Sequence, residues 1–187
     1  MNNNVKCNMF LKEDNILVVR SKESIAAAMF RLMSCDSYQL LTITQICQEA
    51  DISRQTFYHH FKEKEEILEY YLYSRFFTYT EKHPDTGDMT RNVHHLFENF
   101  PVSKHKLQLL KHQNIFNILS KCMADFLEYT VTRYKFSDFM EHPLYRNYYK
   151  KFLISTLITI LSCWVDNQFR ETADELTQMA VSMLKVT

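Results

Sequence analysis

Glycine occurs once in 187 residues, at Gly87, and proline three times, at Pro84, Pro101 and Pro143. Tight hairpins draw on glycine or on Asn-Gly and Asp-Gly turns. A chain this poor in them is expected to be all-α. Hydrophobic residues make up 46% of it, enough for a sizeable core. The length fits one domain or two small ones. Lys plus Arg and Asp plus Glu number 22 each, so the formal net charge is zero. That balance argues against a protein that coats nucleic acid over its whole surface. It leaves room for a small basic patch, because binding depends on where the charge sits.

Residues 1–20 read as an N-terminal extension. Asn2 to Asn4 is a polar start, so no signal peptide is expected. Ile16 to Val19 is a short apolar run, expected as a brief extended piece or a docking turn. Helical signals begin at Ser21, with Ser21 or Ser24 as N-cap. Ile25, Met29, Leu32 and Met33 then form one apolar stripe. Thr42 reads as the N-cap of a short helix, with Gln45 three residues on in a capping box. Ser53 caps the next, Arg54 to Phe61, in which Phe57 and Phe61 share the buried face. Lys64 opens a long helix through Ile67, Leu68, Tyr71 and Leu72 to about Thr80. His83 to Asp88 is the clearest linker. Later helices are expected at about 89–99, 103–111, 113–134, 146–169 and 172–185, with Thr172 and Glu175 forming a second capping box.

Two short helices joined by a tight turn follow the helix-turn-helix plan. The first crosses the DNA backbone, and the second enters the major groove and reads base edges with its N-terminal residues. Such a pair needs an apolar inner side, supplied by Ile46, Ala50, Ile52, Phe57 and Phe61. It also needs an outer side of donors, flat side chains and positive charge, supplied by Arg54, Gln55, Thr56, Tyr58 and His60. Between Ile52 and Lys64 the charged residues are Arg54, Lys62 and Lys64 against Glu63, a local net of +2, with His59 and His60 beside them.

The run Thr42-Ile43-Thr44-Gln45-Ile46, continued by Asp51-Ile52-Ser53-Arg54-Gln55-Thr56-Phe57-Tyr58-His59-His60-Phe61-Lys62-Glu63-Lys64-Glu65-Glu66-Ile67-Leu68, resembles the TetR family signature. The resemblance covers about residues 21 to 75. It implies a three-helix DNA-binding domain at 21–66 and a helical ligand-binding and dimerisation domain at 67–187. By position, it implies that Thr42 and Thr44 meet phosphate or a base, and that Ser53 opens the reading helix. Arg54, Gln55 and Thr56 would read bases. Tyr58 would pack on the backbone or a thymine methyl, and His60 and Lys64, with His59 nearby, would meet phosphate. Arg54 suits guanine and Gln55 adenine, each for about 1–3 kcal/mol of discrimination. The chain departs from the family at Asp51, where the turn usually has glycine. Glycine takes positive φ at little cost, and aspartate does so less readily.

The resemblance further implies a dimeric repressor on a palindromic operator in duplex DNA, paired through the last two helices and released by a small-molecule inducer. Leu153, Leu157, Ile160, Leu161 and Trp164 recur at helical spacing. So do Leu176, Met179, Ala180, Met183 and Leu184, and both stripes suit such an interface. Cys163-Trp164-Val165-Asp166 and Thr172-Ala173-Asp174-Glu175-Leu176 resemble a TetR subgroup that includes the co-activator of dihydroxyacetone kinase genes. That likeness opens an alternative in which the C-terminal domain binds a protein partner. Aromatics are dense between Phe116 and Phe169, suiting an apolar ligand or an ordinary core.

Other chemistry finds little support. The five cysteines, Cys7, Cys35, Cys47, Cys122 and Cys163, form no Cys-x-x-Cys pair and read as small hydrophobes in a reduced cytoplasm. His94 and His95 are adjacent and diverge on a helix, and His105 and His112 lie seven apart. Neither gives the i, i+4 pair of zinc helices, so no metal is expected. No phosphate loop or nucleophile motif occurs, so neither an enzyme nor a cofactor is expected. The apolar run Phe152 to Trp164 is too short to span a bilayer.

Overall fold

The computed structural model describes residues 15–84, 86–131 and 143–184. Among them are α1 (Ile16–Met33), α2 (Ile43–Glu49), α3 (Arg54–His60), α4 (Lys64–Lys82), α5 (Met89–Glu98), α6 (Lys104–His112), α7 (Phe116–Val131), α8 (Pro143–Asp166) and α9 (Ala173–Leu184). No strand occurs among the described residues, so the all-α expectation holds. No helix among them is long and apolar enough to cross a membrane.

The first helix corrects the reading of the N-terminus. It starts at Ile16, not after Ser21, because the Asn15 side chain accepts a hydrogen bond from the Leu17 N–H at 3.0 Å. The run Ile16–Val19 is therefore helical. Ile16 and Leu17 stay exposed, while Val18 and Val19 are half-buried. Elsewhere the capping logic works as read. Thr42 and Gln45 form a reciprocal capping box at α2. Thr172 and Glu175 do the same at α9, with the Thr172 N–H donating to Glu175 Oε2 at 2.8 Å and the Glu175 N–H donating to Thr172 Oγ1 at 3.2 Å. Pro143 opens α8 as its first residue, where a missing N–H leaves no bond unmade.

With one glycine in the chain, other residues take the left-handed turns that close helices. Asp51, Asn114 and Gln168 have φ of 52°, 56° and 57°. Each closes a helix with the same paired bonds. After α2, the Asp51 N–H donates to Gln48 O and the Ile52 N–H to Cys47 O. After α6, the Asn114 N–H donates to Lys111 O and the Ile115 N–H to Leu110 O. After α8, the Gln168 N–H donates to Val165 O and the Phe169 N–H to Trp164 O.

The chain divides into two compact units. The first comprises residues 1–74 and 105–119, the second 75–104 and 120–187. In the first, Ile25, Met29 and Met33 of α1 are fully buried with Ile46 of α2, Phe57 of α3, and Ile67, Leu68 and Leu72 of α4. Leu107 and Leu110 of α6 belong to this core. The Lys106 ammonium lies 4.5 Å from the Phe30 ring centroid and 4.0 Å from that of Tyr71. In the second unit, Leu161 and Ala180 are fully buried and Leu176 nearly so. Phe76 stacks on Phe126 at 5.1 Å. Trp164 meets the Phe169 edge at 5.0 Å and donates through Nε1 to Glu171 O at 3.1 Å.

Two sequence readings of side chains change. Cys47 and Cys122 are buried as expected, but Cys35 and Cys163 are exposed, and Cys7 lies outside the described residues. Of the aromatics considered for a pocket, Tyr145, Tyr148 and Phe152 are exposed. Tyr134, Phe136 and Phe139, and the side chain of Tyr129, lie outside the described residues.

Candidate nucleic-acid interface

The site is built on α2, the turn at Ala50 to Ser53, and α3. Phe57 holds α3 from behind. It is fully buried, and the Phe57, Phe61 and Tyr70 rings follow one another with centroids 6.0 and 5.9 Å apart. Ile46 is buried opposite, while Ala50 and Ile52 are half-buried. The turn between the helices is the left-handed one at Asp51, so aspartate adopts the conformation that glycine would take more readily.

Ser53 caps α3. Its Oγ accepts from the Thr56 N–H at 3.0 Å and lies 2.9 Å from the Thr56 hydroxyl. These two hydroxyls fix the helix start. Arg54 and Gln55 follow at its first two positions, both exposed. Tyr58 is one turn beyond Arg54 and half exposed. The Arg54 guanidinium lies 5.9 Å from its ring centroid and 3.4 Å from its hydroxyl. Two i, i+4 rows, Arg54 with Tyr58 and Gln55 with His59, therefore share the outer surface of α3. His59 is exposed, His60 is half-buried, and their rings are 5.2 Å apart. Thr42 and Thr44 are exposed at the start of α2. The Thr42 hydroxyl donates to Gln45 Oε1 at 2.8 Å and accepts from the Gln45 N–H at 3.3 Å. Burial pushes the Cys47 thiol up, opposed by the positive charge of Arg54, so it stays protonated behind the surface.

Lys64 stands apart from this group. Its ammonium donates to the carbonyls of Tyr38, Gln39 and Leu41 at 2.7, 3.1 and 2.9 Å, and lies 4.6 Å from the Tyr38 ring centroid. Three donors meet three acceptors. Burial lowers its pKa. In this arrangement the side chain pins the segment that leads into the Thr42 cap.

Two residues that sequence reasoning did not single out hold the same segment. Gln113 accepts from the Tyr38 N–H through Oε1 at 2.8 Å. Its Nε2 donates to Met33 O at 2.9 Å and to Asp36 O at 3.0 Å. Tyr38 is buried, and its hydroxyl is pushed up to about 12 by that burial, with Glu65, Glu63 and Glu69 adding to it. A glutamine far along the sequence carries no local sign of this role. The Arg31–Glu49 ion pair also joins α1 to α2. It is exposed, so its contribution to stability is small.

Residues 21–71 match the profile of bacterial regulatory proteins of the TetR family. No curated protein matches the sequence significantly. Two solved structures share the fold. One is a TetR transcriptional regulator from Streptococcus agalactiae 2603V, at TM-score 0.62 and 18% identity over 90% of this chain and 95% of that one. The other is the dihydroxyacetone kinase operon activator DhaS, at TM-score 0.57 and 20% identity over 89% of this chain and 94% of that one. Residues 21–71 thus match the TetR-family domain, on a chain whose all-α fold is similar to that of a TetR transcriptional regulator.

Proposed function

We propose that the chain acts in the cytoplasm as a dimeric transcriptional regulator that binds a palindromic operator in duplex DNA and leaves it when a small ligand binds. The observation that carries the reading is the outer surface of α3. Arg54, Gln55 and Tyr58 are exposed at the helix start and one turn on, over a Phe57 that has no exposure at all. Arg54 and Gln55 read base edges. Thr44, Tyr58, His59 and His60 meet the backbone, which sets register without carrying sequence information. Thr42, Ser53 and Thr56 stand at the helix caps, where backbone N–H groups suit phosphate. Lys64 is reassigned to holding the turn before α2.

Two half-sites roughly one helical turn apart call for a symmetric pair of such helices. Most of the apolar stripe residues of α8 and α9 are buried within their own chain, Leu153, Ile160, Leu161, Trp164, Leu176 and Ala180 among them. The pairing surface therefore falls to the exposed Tyr145, Tyr148 and Phe152 of α8 and Met179 and Met183 of α9. A monomer in light scattering at micromolar concentration overturns the dimer.

A mobility shift on the DNA upstream of the chain's own gene, across a salt series, tests the whole reading. Sequence-specific binding that weakens steeply with salt is expected. Arg54→Ala should lose about 1–3 kcal/mol of discrimination at one base position and leave stability unchanged. Unchanged selectivity in that variant sinks the base-reading assignment. One similar structure is described as an operon activator, so the second reading is a regulator that raises transcription. A reporter gene behind the bound DNA separates the two signs.

A further inference from the structure

In the second unit, three side chains that could each offer a ligand atom converge on one point of α5. His94 Nδ1 and His95 Nδ1 each lie 3.9 Å from the same oxygen, Oε2 of Glu98. One ligand atom from each residue falls within 4.8 Å of the others. Helix geometry explains the convergence. The two histidines diverge by about 100°, but Glu98 is i+4 from one and i+3 from the other, so it stands between them one turn on.

The contacts around the cluster orient its rings. His94 Nε2 lies 2.9 Å from Asp174 Oδ1 of α9, which leaves Nδ1 as the nitrogen turned to Glu98. Ligating histidines are commonly oriented by such a carboxylate on their other nitrogen. His95 Nδ1 is itself sealed from solvent and has no hydrogen-bond partner among the described residues. The Asn99 amide reaches Glu98 Oε2 only at 3.4 Å. Two imidazole nitrogens and a carboxylate oxygen thus face one another with no short hydrogen bond among the three. A shared cation would give all three a partner at once.

We propose that His94, His95 and Glu98 form a binding site for one divalent transition-metal ion, with Asp174 positioning His94. Two imidazoles and one carboxylate favour zinc, cobalt, nickel or copper over magnesium or calcium, which prefer all-oxygen sites. Ligand distances of about 2.0–2.2 Å place neighbouring ligand atoms a little over 3 Å apart in a tetrahedron, so the 3.9 Å pairs need close by only about 0.5 Å and the widest pair by up to about 1.5 Å. His94 and His95 also line an open cleft of about 740 Å³, with Asp88, Arg91, Asp174 and Gln178 around them. Because Asp174 belongs to α9, the loaded site would brace α5 against α9.

The test is titration of the metal-free full chain with Co2+ or Zn2+, read by calorimetry and by the visible bands of bound Co2+. One ion per chain is expected, with the bands lost in His95→Gln and in Glu98→Gln. Asp174→Asn should weaken affinity about 10–100-fold and keep the bands, the mark of a positioning residue. Control substitutions at His105 and His112 together should change nothing. Circular dichroism confirms that each variant is folded. No binding at micromolar metal overturns the proposal. Binding that persists in His95→Gln and Glu98→Gln, or that is lost with His105 and His112, overturns it equally.

Discussion

The two units are built from the same material, capped amphipathic helices, yet they disclose their purpose to different degrees. In the first, the exposed Arg54 and Gln55 stand on a helix held by the buried Phe57, and Lys64 and Gln113 bind five carbonyls and one N–H of the segment before α2. The framework is over-determined, and the surface it presents is narrow. In the second, the core around Leu161, Leu176 and Ala180 is well closed, but large apolar side chains such as Tyr148 and Phe152 remain outside. Base edges of DNA are the same in every cell, so a helix that reads them is restricted to a few residue types. A metabolite pocket or a self-interface satisfies its physics with many combinations of apolar residues.

The difference can be broken first at the cores. Phe57→Ala should destabilise the first unit by about 3–5 kcal/mol, the range for a fully buried phenylalanine. The single tryptophan, Trp164, lies in the second unit and reports on it alone. Under denaturant, the circular dichroism transition of this variant should move ahead of the tryptophan fluorescence transition. Coincident shifts would show that the two units unfold as one.

Lys64→Met comes next. It strands the Tyr38, Gln39 and Leu41 carbonyls and should lower stability by about 1–3 kcal/mol. For the folded protein, the dependence of DNA binding on salt should stay as it was. A slope reduced by about one would mean that Lys64 reaches a phosphate after all.

A smaller effect of opposite sign is expected at Asp51. Asp51→Gly removes the cost of a left-handed non-glycine residue and should stabilise the first unit by up to about 1 kcal/mol, partly offset by the greater freedom of glycine in the unfolded chain. A lower unfolding midpoint would contradict this.

The smallest effect belongs to the second unit. The backbone N–H and hydroxyl of Thr172 hold the Glu175 carboxyl below its ordinary range. Its folded pKa is depressed, so its contribution to the α9 cap is complete above the unfolded value and is lost as the pH falls through the folded one. Amide exchange in the first turn of α9 should rise selectively under those acidic conditions. Exchange that stays flat would show that the cap does not depend on the charge.

Much of the fold was legible because capping is local chemistry. Thr42 with Gln45, Ser53 before Arg54, and Thr172 with Glu175 each announce a helix start within four residues. Asn15 was missed because the apolar run after it has no polar face to mark a helix, and its first two residues stay in solvent. The outward and inward sides of α3 followed from spacing alone. Lys64 did not, since a lysine at the head of a helix looks the same whether it points at phosphate or at carbonyls more than twenty residues back. The placing of Glu98 follows a related rule. Two adjacent histidines diverge as a pair, and each approaches its carboxylate only one turn on.

The grip of Gln113 on Met33, Asp36 and Tyr38 also bears on how the protein is made. The α1–α4 helices emerge from the ribosome well before the residues that complete their core, since Leu107, Leu110 and Gln113 come some forty residues after Leu72. Domains generally fold as units during synthesis. The first unit is therefore complete only once the segment ending at Leu119 is free. A nascent chain cut short at residue 80 would carry the whole signature of the family and still lack the amide that holds it in shape.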